Sequence, residues 1–120
     1  SPISTMGVAS IIGITGQSEG RAILDMSRQT ACQLAAAMSG EPVNVYDKMV
    51  CSTINELNNM VCGRAVSLLV NRGQRMDINP PTLFTGQDMD ITNTNMEIVT
   101  IPVESQFGPV VLNLSLRTKG

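Results

Sequence analysis

From Asp47 to about Arg72 the chain carries an apolar stripe of the kind that a long amphipathic helix turns toward a core. Val50, Ile54, Leu57, Val61, Ala65 and Leu68 step by four, three, four, four and three, the repeat of an α-helix. Gly73 supplies a stop. Beyond it the period falls to two, and 75–79, 82–86, 89–94, 96–103 and 110–117 become strand candidates. Pro80-Pro81, 93–95 and 105–109 separate them. In the last strand Val110, Leu112, Leu114 and Leu116 alternate with Val111, Asn113 and Ser115, which predicts one buried face. Ahead of the long helix, 5–15 reads as a strand, 16–20 as a turn and 21–26 as a second strand, together a β-hairpin. Ser27 can cap a shorter helix in which Ala31, Leu34, Ala35 and Met38 share a face, and Gly40 can end it. Strands here follow strands without intervening helices. The expected fold is therefore α+β: a largely antiparallel sheet with a hairpin, a shorter helix and one long helix, in a single domain over 1–120.

Composition removes several classes of function. Tyr46, Phe84 and Phe107 are the only aromatic residues, so Ala, Ile, Leu, Val and eight Met must build the core. Eight basic and ten acidic residues leave a formal charge of −2 with no basic tract, so nucleic acid is not an expected partner. No 18-residue apolar run exists, and no membrane insertion is expected. The absence of His rules out His general bases, Ser-His or Cys-His nucleophiles and His-ligated zinc. Cys32, Cys51 and Cys62 are odd in number and fall on predicted helices, which points to reduced, inert thiols. Reduced thiols point to the cytosol, and the opening residues resemble neither a signal nor a transit peptide.

What remains is the face of the long helix turned away from its stripe. With Glu56 as the origin the stripe centres roughly 140° away, while Asn59 lies roughly 60° to the other side. Glu56 and Asn59 are i and i+3 neighbours and project together. Ser52 and Gly63 lie close beside them. A mid-helix Gly costs about 1 kcal/mol relative to Ala, yet on this face it lets another surface approach. Ser52, Glu56, Asn59 and Gly63 thus form a low ridge with one acid and one amide, inside an Asn-rich patch that includes Asn55 and Asn58. Two residues that merely face water satisfy the same spacing. So does Glu41-Pro42-Val43-Asn44, in a linker.

The longer segment Glu56-Leu57-Asn58-Asn59-Met60-Val61-Cys62-Gly63-Arg64-Ala65 resembles the E-x-x-N-M-x-x-G-x-A helix of the CheX/CheC chemotaxis phosphatases. Flanking matches keep the same order: Ile12-Gly13-Ile14-Thr15-Gly16 with Glu19-Gly20, then Met38-Ser39-Gly40, then Asp77-Ile78-Asn79-Pro80-Pro81-Thr82 with Gly86. The likeness covers about residues 8 to 119. It implies a CheC-like fold that hydrolyses the aspartyl phosphate of a CheY-type response regulator. By this resemblance Glu56 and Asn59 are the catalytic pair. Asn59 orients a water beside the acyl phosphate, and Glu56 pairs with a lysine of the receiver. No cofactor of its own is implied, since the receiver brings Mg²⁺. One motif helix per chain implies a homodimer. The chain opens almost at the first strand, where family members usually begin with a helix. The alternative from another class is a non-catalytic regulator-binding adaptor, similar to flagellar-switch components.

Overall fold

The structure, a computed structural model, describes residues 3–91 and 96–118. Strands β1 (Ile3–Gly16) and β2 (Ser18–Met26) form the expected hairpin, with a tighter turn than the sequence suggests. Gln17 alone separates them, next to Gly16 at φ 122°, a backbone conformation L side chains rarely adopt. Helix α1 (Arg28–Ser39) follows, capped by the Ser27 hydroxyl, which accepts from the Thr30 amide, and ended by Gly40 at φ 75°. Helix α2 (Lys48–Val70) starts at Asp47, whose carboxylate accepts from the amides of Met49 and Val50.

Strands β3 (Met76–Ile78), β4 (Thr82–Ile91), β5 (Glu97–Ser105) and β6 (Gly108–Thr118) complete the sheet. Here the sequence reading needs two corrections. Residues 82–86 and 89–91 belong to one strand, which passes through Asp88 at φ 55° opposite an irregularity between Ser4 and Met6 of β1. The rest of the expected 89–94 strand and the whole 93–95 spacer lie outside the described residues. The expected 105–109 spacer shrinks to a two-residue turn, because β5 reaches Ser105 and β6 starts at Gly108.

Neighbouring strands run antiparallel in the order β3-β1-β2-β6-β5, with β4 also on β1. Their register lines up rows across the sheet, such as Val8, Met26, Val110, Val103 and Leu83, Ser10, Leu24, Leu112, Ile101. Both helices pack on this face. Val8, Leu24, Met26 and Val110 meet Ala31 and Ala35 of α1 and Val50 and Ile54 of α2. A second cluster joins Ile12, Ile14 and Ala22 to Cys62.

The middle strands β1, β2 and β6 bury residues on their other face as well, contrary to the one-sided pattern predicted for β6. Ala9, Ile23, Asp25, Asn113 and Ser115 are all closed to solvent. Chain geometry accounts for this. β4 ends at Ile91, level with Ile3 of β1, whereas β5 starts at Glu97, level with Leu116, Gly20 and Ile14. On a flat sheet these points would stand on opposite edges and about 36 Å apart along the strands. The six Cα–Cα steps from 91 to 97 reach about 22 Å at most. The sheet must therefore coil until its diagonal corners come within that reach, and the five side chains lie on the face away from both helices.

Asp25 is a polar member of that interior. Its Oδ1 accepts the Met6 amide at 3.0 Å. Burial pushes the carboxyl above its ordinary 3.8, and the backbone N–H groups of Met6 and Met26 pull it part of the way back. The folded state then holds the proton more tightly than the unfolded chain, so stability falls as pH rises from about 4 through the folded value. Asn can accept the same amide without a charge. Asp25→Asn is expected to raise the thermal midpoint at pH 7 by a few degrees and to leave it unchanged below about pH 4. Equal shifts at both pH values in a melting series would remove the charge as the cause.

Candidate functional site on the outer face of the long helix

The buried line of α2 is Val50, Ile54, Asn58 and Cys62. Val61 and Leu68 are 39 % and 48 % exposed, and Ala65 is exposed too, so the C-terminal half of the predicted stripe does not face the core. Steps of four advance about 40° past a full turn, and the line therefore slopes around the helix. It follows the sheet from the Val8 cluster to the Ile12–Ile14 cluster. Beyond Cys62 the helix is largely exposed, with only Gly63, Val66 and Leu69 half-buried.

This rotation aims the ridge more squarely outward. Ile54 and Asn58 each stand roughly 160° round from Glu56, so Glu56 is opposite the buried line. Glu56 and Ser52 are exposed, and Asn59 and Gly63 are half-buried. The four sit on one side of the rod, within about 16 Å along its axis. Among the described residues neither Glu56 nor Asn59 has a side-chain hydrogen bond or ion pair, leaving both for an incoming partner. A Cβ on Gly63 would meet nothing within 4 Å, so packing inside this chain does not require glycine there. Glu56 and Ser52 also border a groove of about 310 Å³ formed with Met38 and Ser39 at the end of α1 and Met49 and Thr53 of α2.

Asn58 is the residue that pattern reading misplaces. It is fully buried. Its Nδ2 donates to the Ser10 carbonyl at 2.9 Å and to the Ser10 hydroxyl at 3.2 Å. The Ser10 hydroxyl donates to Asn55 Oδ1 at 2.7 Å, and the Cys62 thiol donates to Asn58 Oδ1 at 3.4 Å. The signal for this network lies in β1, where Ser10 is the polar member of a row otherwise made of Leu and Ile. At the start of α2, Tyr46 Oη lies 2.7 Å from Thr85 Oγ1 and accepts from the Cys51 thiol at 3.2 Å, tying the helix entry to β4. All three cysteines are free: Cys62 is buried, while Cys32 and Cys51 are only half-buried. Burial pushes the Cys62 thiol up, away from the reactive thiolate.

Residues 8–104 match the family model for the chemotaxis phosphatase CheX. The chain is 35 % identical over 113 residues to the CheY-P phosphatase CheX of Thermotoga maritima, covering 93 % of this chain and 72 % of that one. This chain belongs to the CheX family. Among solved structures, CheX of Vibrio vulnificus superimposes with a TM-score of 0.86 at 26 % identity, over 98 % of this chain and 80 % of that one. A CheX–CheY–BeF₃–Mg²⁺ complex from Borrelia burgdorferi gives 0.85 at 30 % identity, over 98 % and 81 %. The CheX fold thus accounts for both helices and the antiparallel sheet. No helix among the described residues is long and apolar enough to cross a membrane.

Proposed function

We propose that this protein is a phosphatase for the aspartyl phosphate of a CheY-type receiver domain, and that Glu56 and Asn59 carry the activity. The observation that carries this reading is the outward pairing of one acid and one amide on α2, both without side-chain partners among the described residues. Family membership supports it, as does the relative named a CheY-P phosphatase. The Borrelia complex pairs a CheX with CheY bearing BeF₃, a stand-in for the phosphoryl group.

The reaction transfers a phosphoryl group from a carboxylate to water, so positioning and electrostatics supply most of the rate. A neutral carboxamide is no base at pH 7. The Asn59 side chain can nevertheless accept from a water with its oxygen and hold it in line with the phosphorus–oxygen bond that breaks. Glu56 forms a charge-assisted contact with the receiver's lysine and fixes the pose. Mg²⁺ reaches the site on the receiver, because the ridge, with one carboxylate and one amide, offers a metal no chelating set. On this reading the protein works in the cytoplasm.

A two-fold dimer fits the same reading. The exposed row Val99, Ile101 and Val103 on edge strand β5 supports it, because an open apolar edge invites pairing. Sedimentation equilibrium that finds only a 12.8 kDa species would sink the dimer.

The test is phosphate release from a panel of phosphorylated receivers. At least one should lose its phosphate faster with the protein present. A panel whose lifetimes do not change at saturating protein favours a binding adaptor instead. Glu56→Ala is expected to raise KM about tenfold or more for the phosphorylated receiver, the cost of one charge-assisted contact of about 1.5–3 kcal/mol. Unchanged KM and unchanged capture of the receiver on a biosensor would remove the docking role.

A further inference from the structure

We infer that Asn58 is a positioning residue: its hydrogen bonds to Ser10 set the rotation of α2 and thereby aim Asn59. The inference rests on the proposed role of Asn59. Two pairs of side chains share one turn of helix. Glu56 and Asn59 face outward, while Asn55 and Asn58, each one residue earlier, face the sheet. A single serine serves both inner residues, donating to Asn55 and accepting from Asn58. The Ser10 carbonyl takes a further bond from Asn58, so the anchor includes strand backbone that cannot shift without moving β1.

The precision needed explains why polar groups hold this place. Side-chain tips ride about 5–6 Å from a helix axis, so a 10° rotation displaces them by about 1 Å. A misplacement of that size can cost about 10²-fold in rate. Apolar packing is non-directional, so the contacts of Val50 and Ile54 do not by themselves fix an angle. Hydrogen bonds of 2.7–3.2 Å to a fixed strand define an angle. A fully satisfied buried network specifies one arrangement even where a hydrophobic substitute would be equally stable.

The experiment compares Asn58→Leu, Asn59→Ala and the double variant in steady-state phosphate release, alongside thermal melts. Asn58→Leu is expected to melt cooperatively and to lower kcat by tenfold or more, with KM for the phosphorylated receiver within twofold of the parent. In the Asn59→Ala background the same change should lower kcat no further, since the amide it aims is already gone. A merely structural role would lower both backgrounds alike by reducing the folded fraction. Parental kcat in Asn58→Leu, or an equal fold-loss in both backgrounds, overturns the inference. Should Asn58→Leu fail to fold, Ser10→Ala replaces it, because it removes the bridging hydroxyl and keeps the carbonyl bond. Its kcat must then fall with KM held, and parental turnover overturns the inference. Full activity of Asn59→Ala would defeat the catalytic assignment itself, a result separate from any outcome at Asn58.

Discussion

Asn59→Ala is expected to lower phosphate release from a phosphorylated receiver by about 10²–10³, the range for removing one preorganised hydrogen-bonding group from a transition state. The variant should melt like its parent. Asn59 is half-buried on the outer side of α2, and among the described residues its amide bonds to nothing in its own chain. Truncation therefore leaves no buried group unsatisfied and opens no cavity. Capture of the phosphorylated receiver should persist through Glu56, so the loss falls on kcat. Parental phosphate release by pure, folded Asn59→Ala removes the amide from the mechanism.

The second large effect is structural. Ile54→Asp should abolish the cooperative melt, whereas Leu68→Asp should change stability by less than about 1 kcal/mol. Ile54 is fully buried among Val8, Leu24, Met26 and Val50. Its replacement loses an apolar contact worth about 2–5 kcal/mol and adds a carboxylate whose burial costs several more. Together these rival the roughly 5–15 kcal/mol that hold a domain folded. Leu68, by contrast, is half open to water at 48 %. Both residues belong to the stripe that the apolar spacing predicts as core. The contrast in circular-dichroism melts thus measures the rotation of α2. Equal damage at both positions would restore the sequence-based orientation.

Local signals were readable in the sequence wherever a backbone group needs a nearby side chain. Ser27, Gly40 and Asp47 mark helix ends because their effects reach only a few residues. The hairpin and the antiparallel order followed from alternation and from short connections. The outward pair Glu56 and Asn59 was legible because the true and predicted core faces differ by less than half a turn, and both lie across the helix from Glu56. The inner residue Asn58 was not legible from helical spacing, which treats every amide as surface. Its partner Ser10 is 48 positions earlier, and only the register of β1 against β2 and β4 brings that serine under the helix. The burial of Asn113 and Ser115 was hidden for a similar reason. Alternation reports which residues share a face, but the coil of the sheet decides how many faces are enclosed.

Burial that thins toward the C-terminus of α2 makes the helix a cantilever. Its root is clamped by Asp47, Tyr46 and the Val50–Cys62 line, and its last two turns keep only Val66 and Leu69 half-buried. A beam held this way flexes most at its free tip and least at the clamp. The reactive pair sits over the clamp, so fraying near Val70 leaves the aim of Asn59 untouched.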